Sequence, residues 1–60
     1  MSIKDKRIAA NMSQEELAQA SNVSRVAITR YETGERVPNI EIAARIAKAL
    51  GCKLDDLIEK

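Results

Sequence analysis

The chain has 60 residues, ten basic and nine acidic side chains for a formal net charge of +1, one cysteine and no histidine. An intrachain disulfide is therefore excluded, and the usual zinc ligand sets cannot be assembled. No stretch approaches the ~20 apolar residues of a membrane span, and the opening MSIKDKRI has no signal-peptide apolar region. These features predict a cytoplasmic protein without metal or cofactor, made of one small domain over residues 1–60. A domain of this length buries only ~60% of the surface its unfolded chain exposes, so apolar packing must hold it with little to spare.

Punctuation along the chain predicts five short helices. The first spans about Ser2 to Ala10, with a narrow apolar stripe around Ile3 and Ile8. Asn11 tolerates the left-handed conformation and suits a helix stop, and Met12 precedes Ser13 as a hydrophobic staple. Ser13 followed by Glu16 is the S-x-x-E capping box, in which the serine oxygen accepts from the Glu16 amide while the glutamate reaches back to the Ser13 amide. A second helix follows, with Leu17, Ala18 and Ser21 inward and Glu15 and Gln19 in solvent. Asn22 supplies the turn, since positive φ costs it less than most residues. Ser24 caps a third helix.

At about 100° per residue, Arg25, Val26, Thr29 and Arg30 share one face of that helix, while Ala27, Ile28 and Tyr31 share the other. Gly34 ends it as a left-handed cap. Residues Glu35 to Pro38 form a loop, and Asn39 caps a fourth helix whose apolar stripe is read as Ile40, Ala43, Ala44, Ile46, Ala47 and Leu50. Gly51 stops it. A last helix from Leu54 to Glu59 is favoured by Asp55 and Asp56 near its start and turns Leu54, Leu57 and Ile58 inward. Tyr31, the one aromatic residue, is expected in the core with its hydroxyl at the rim, and Cys52 as a small buried hydrophobe.

The segments SQEELA, VSRVAITRYETGERVP and IAKALGCKLDDL together resemble the helix-turn-helix domain of the Cro and phage-repressor type, the XRE family. The resemblance covers nearly the whole chain. Within the motif, Gln14 to Thr33, it places the small residue at Ala18, the turn at Asn22, and the apolar anchors at Leu17, Val23, Ile28 and Tyr31. Departures are Asn22 where glycine is usual, Ser21 where an apolar residue is usual, and Lys53 where a serine or threonine commonly caps the last helix. The resemblance implies an all-α, compact five-helix bundle of the lambda-repressor-like type, with the helix-turn-helix at helices 2 and 3.

Such a helix can enter the major groove, which is ~12 Å wide and presents a distinct donor and acceptor pattern for each base pair. Arg25 and Arg30 each have the fork for guanine O6 and N7, and Val26 and the Thr29 methyl suit thymine methyl groups. The resemblance supports these four as base readers. Gln14, Ser24, Lys6, Thr33 and Arg36 are candidates for contacts to the DNA backbone, which set position rather than sequence, and the resemblance implies that Gln14 either makes such a contact or helps orient a reader. The resemblance also implies that Arg7 and Glu32 form a structural ion pair instead of touching DNA.

Two functions compete. The first is a sequence-specific transcriptional regulator, a repressor, bound to a double-stranded DNA operator as a weak homodimer. Its contact would involve Leu54, Leu57 or Ile58 of the last helix, with Ile42 a further candidate, although these residues equally suit closing the core. The second is a protein-interaction module, such as an antitoxin or adaptor, which the near-zero net charge keeps open. RNA binding lacks an aromatic stacking surface. An enzyme is not expected: there is no histidine to act as a base and no glycine-rich phosphate loop, and the serines and carboxylates are occupied by caps and helix starts. No small-molecule ligand is expected either.

Overall fold

The computed structural model describes residues 3–57. Within them run α1 (Ile3–Ala9), α2 (Gln14–Ser21), α3 (Arg25–Thr33), α4 (Ile40–Leu50) and α5 (Leu54–Leu57). The architecture is all-α. Ser2, Ile58 and Glu59, which the sequence includes in the first and last helices, lie outside the described residues.

Local chemistry sets the boundaries. Ser13 Oγ accepts from the Glu16 amide at 3.0 Å and the Ser13 amide donates to Glu16 Oε1 at 2.9 Å, so both halves of the capping box are made. The bond donated by the Ser13 amide, and after it the Ser13 side chain, hold the Glu16 carboxyl below its ordinary range. Ser24 and Asn39 cap α3 and α4 by accepting from the Ala27 and Ile42 amides at 3.1 and 2.9 Å. Lys53 has no side-chain acceptor; instead its amide donates to Asp56 Oδ2 at 3.2 Å, so α5 keeps only the return half of a capping box.

The core is one cluster: Ile3, Leu17, Ala18, Ile28, Ile46, Ala47 and Leu57, with Met12, Val23, Tyr31, Ile42, Ala49, Leu50 and Cys52 half-buried against it. Burying a residue such as Leu17 or Ile28 fully is worth roughly 1.5–3 kcal/mol relative to leaving it exposed. α4 packs on α1, α2 and α5, while α3 rests chiefly on α2 and α1. That arrangement leaves the far side of α3 uncovered.

Two expectations about burial are corrected. Ile40 and Ala44 do not belong to the inward stripe of α4: Ile40 is 74% exposed and Ala44 is exposed. The buried arc runs through Ile42, Ala43, Ile46, Ala47, Ala49 and Leu50, so the stripe is rotated toward Ile42 and its predicted edge faces solvent. Leu57 is 0% exposed and supplies no contact surface for a second copy, because its side chain closes the core. Leu54 and Ile42 are half-buried, and nothing is described of Ile58.

Ser21, the polar residue in an apolar slot, is 3% exposed, and its hydroxyl donates to the Leu17 carbonyl at 2.7 Å. The slot therefore holds no unpaired polar atom.

Candidate nucleic-acid interface

The turn between α2 and α3 fixes how α3 stands off the body. Asn22 takes φ 56°, ψ 43°, and its amide donates to the Ala18 and Gln19 carbonyls. The Val23 amide reaches back to the Ala18 carbonyl at 3.0 Å. These bonds satisfy carbonyls that the end of α2 would otherwise leave open. From α4, which packs against α2, Arg45 Nη2 donates to the Asn22 carbonyl at 3.0 Å and ties the turn to that helix.

On α3, Ile28 is fully buried and Ala27 and Tyr31 are half-buried, whereas Arg25, Val26, Thr29, Arg30 and Thr33 are exposed or nearly so. The four candidate base readers thus share the uncovered face. Val26 is 61% exposed, a large apolar side chain presented to solvent beside two arginines. Arg30 Nε lies 3.9 Å from Glu35 Oε2, with both side chains well exposed, a contact too loose to hold the guanidinium. Arg25 makes no side-chain bond among the described residues. Neither guanidinium is held by a side-chain hydrogen bond among the described residues.

The backbone candidates divide. Ser24 is exposed and its oxygen serves the cap, which leaves the hydroxyl proton available to a phosphate. Thr33 donates to the Arg30 carbonyl at 3.1 Å. Arg36 is exposed just past the end of α3, its amide bonded to the Arg30 carbonyl at 3.2 Å. Lys6 is half-buried on α1, and Gln14 is half-buried at the first turn of α2.

Beneath that face lies a polar seam. Arg7 Nε donates to Glu32 Oε2 at 2.7 Å and Nη2 to Glu32 Oε1 at 3.2 Å, a two-pronged pair in which the side chains are 13% and 4% exposed. Arg7 Nη1 also donates to the Met12 carbonyl at 2.8 Å. Gln14 Nε2 donates to Glu32 Oε1 at 3.0 Å, and the Thr29 hydroxyl lies 3.3 Å from Gln14 Oε1 and 3.1 Å from the Arg25 carbonyl. The residues named for an ion pair are therefore in contact, and Gln14 joins them to the exposed face.

Burial alone would raise the Glu32 carboxyl. The bonds from Arg7 and Gln14 and the charges of Arg7 and Lys4 together outweigh that and hold it below its ordinary range. The hydrogen bonds that Arg7 donates to Glu32 raise the pKa of its guanidinium. Glu32 thus stays an anion, able only to accept.

The helix-turn-helix family profile matches residues 3–57. The chain belongs to the XRE-type helix-turn-helix family. Among helix-turn-helix relatives, an uncharacterized HTH-type transcriptional regulator of Methanocaldococcus jannaschii is 40% identical over 47 residues, covering 78% of this chain and 71% of that protein. A second, from Archaeoglobus fulgidus, is 38% identical over 55 residues, covering 92% and 78%. The HTH-type transcriptional activator BcrR of Enterococcus faecalis is 38% identical over 52 residues, 87% of this chain but only 26% of BcrR.

Sequence reasoning missed two supports of this helix-turn-helix. Arg45 sits in α4 at helical spacing from Glu41, with 4.0 Å between their charged atoms, and nothing in that spacing points to Asn22. The bond from Gln14 to Glu32 joins two helices and has no local signature; the exposed-face pattern places Thr29 and Gln14 on separate elements.

Proposed function

We propose that this chain binds double-stranded DNA in a sequence-specific manner by laying α3 in the major groove, and that it regulates transcription. The observation that carries the proposal is the division of α3: Ile28 fully buried, Glu32 clamped to α1, and Arg25, Val26, Thr29 and Arg30 turned together to the open side. A helix anchored on its inner side with exposed guanidinium groups on its open face suits base-edge readout, where Arg donates twice to guanine O6 and N7. Gln14, Ser24, Lys6, Thr33 and Arg36 are the proposed backbone contacts, around the rim of that face.

The regulator is proposed to be a repressor, because occupying an operator excludes polymerase without any further contact. It would work where the DNA is, in the cytoplasm. Two copies with recognition helices ~34 Å apart would read a near-palindromic operator, pairing weakly through Leu54 and Ile42. Leu57 is no longer part of that surface.

Selection from random duplex DNA followed by titration tests this function. Arg30→Ala is expected to weaken binding to the selected operator by ~1–3 kcal/mol and to relax preference at one position, while Arg36→Ala weakens binding to all sequences and lowers the salt slope by about one unit. If Arg25→Ala and Arg30→Ala both left specific binding unchanged, α3 would not be the reader. A second reading, a module that binds a partner protein, draws on Val37 and Ile40, 79% and 74% exposed. It would be favoured if no salt-dependent DNA binding were found and Val37→Ser abolished a complex with a defined protein partner.

A further inference from the structure

A threonine hydroxyl can either donate to a base edge or accept from one, so Thr29 by itself leaves the preferred base open. The seam under α3 removes that freedom. Glu32 is 4% exposed and both its oxygens are engaged by Arg7, so it offers Gln14 only an acceptor. The amide must then turn its NH2 toward Glu32, as the 3.0 Å bond from Nε2 shows, and its carbonyl oxygen is left facing Thr29. The second neighbour of the Thr29 hydroxyl is the Arg25 carbonyl at 3.1 Å, again an acceptor. A hydroxyl has one proton, and both protein groups within reach can only receive it.

We infer that Thr29 is a one-way reader: its proton is held inward between Gln14 Oε1 and the Arg25 carbonyl, so the groove meets only its oxygen lone pairs and its methyl group. This rests on the DNA-reading role proposed for α3. In the major groove, the groups that can donate to such an oxygen are the adenine N6 and cytosine N4 amino groups, whereas guanine N7 and O6 and thymine O4 are acceptors and face it lone pair to lone pair. The pair that offers both an amino donor and a methyl group is A·T. Thr29 therefore selects A·T at one position and rejects a guanine edge there. Gln14 is a positioning residue in this scheme, transmitting the fixed orientation of Glu32 to the hydroxyl.

The test uses the purified full chain. Operators are selected from random duplex DNA with the wild type and with Thr29→Val, which keeps the shape and loses the hydroxyl; the position whose preference changes is the one Thr29 reads. There, replacing adenine by purine, which lacks the N6 amino group, is expected to weaken wild-type binding about fivefold to tenfold. The same replacement should leave Thr29→Val binding unchanged. Uracil for thymine, which removes only the methyl, should weaken both proteins. Gln14→Ala should lower the ratio of A·T to G·C binding at this position, a readout that a purely structural role would not move separately from melting temperature.

A wild-type preference for guanine at that position, or indifference to purine, overturns the inference while DNA reading stands. Unchanged discrimination in Gln14→Ala overturns the positioning role. Failure to enrich any sequence overturns both the inference and the function beneath it.

Discussion

The chain contains two successive helix pairs built on the same turn. α2 ends at Asn22 with φ 56° and α4 at Gly51 with φ 71°. In each, the next amide reaches back to the end of the helix at 3.0 Å, Val23 to the Ala18 carbonyl and Cys52 to the Ala47 carbonyl. The helices beyond the two turns differ. Ser24 caps α3, which keeps a face in solvent, whereas Lys53 offers no side-chain cap to α5 and Leu57 there is fully buried. The turn sets an angle between helices. The identity of the second helix decides whether that angle presents a surface or closes a core.

The largest effect is expected where the second pair closes the core. Leu57→Ala should lose about 2–5 kcal/mol in urea unfolding, because it opens a cavity under α4. In so small a domain that loss leaves much of the protein unfolded at 25 °C. A loss below that range would mean that α5 is an appendage, and the contrast between the two pairs would fail.

Arg7→Met is the next largest, on the order of 3 kcal/mol, since it leaves the Glu32 carboxylate buried without its partner. Its pH dependence carries more information than its size. In the wild type the folded Glu32 pKa lies below the unfolded value, so its stabilisation is fully present above about pH 4.3 and is lost as pH falls through the folded pKa. Without Arg7, burial dominates and raises that pKa, so Glu32's contribution should instead grow as pH falls. Glu16 contributes the same slope to both proteins, and the difference between their stability curves isolates Glu32. Parallel curves would show that the pair does not hold the seam.

The smallest effects concern the caps that distinguish α3 from α5. Ser24→Ala should cost about 1 kcal/mol, and Lys53→Ser should gain about 0.5–1 kcal/mol by placing a side-chain oxygen acceptor at the start of α5, where Lys53 offers none. Thermal melting of both variants checks the pair. If Lys53→Ser gave no gain, the missing side-chain cap would not be what separates α5 from α3.

Much of the fold was legible in the residues because it is written locally. Ser13 with Glu16, Ser24, Asn39, Asn22, Gly34 and Gly51 act on amides and carbonyls within a turn of themselves, and each stands at a helix boundary. The exposed face of α3 was legible for the same reason, as its two sides separate by helical spacing alone. The stripe of α4 was placed on the wrong edge at Ile40 and Ala44, because the direction of a helix's apolar face depends on which neighbours cover it, and those are distant in sequence.

The candidate site divides along the same line. The residue types and spacing of Arg25, Val26, Thr29 and Arg30 come from the sequence by itself, and the expected meeting of Arg7 with Glu32 came from resemblance. Only the tertiary structure decided that Gln14 lies between Glu32 and Thr29, that Arg45 holds the Asn22 carbonyl, and that Leu57 is sealed inside. Caps and periodicity are settled by bonds to near neighbours, whereas the direction in which an amide or a hydroxyl points is settled by partners that meet only once separate helices have packed.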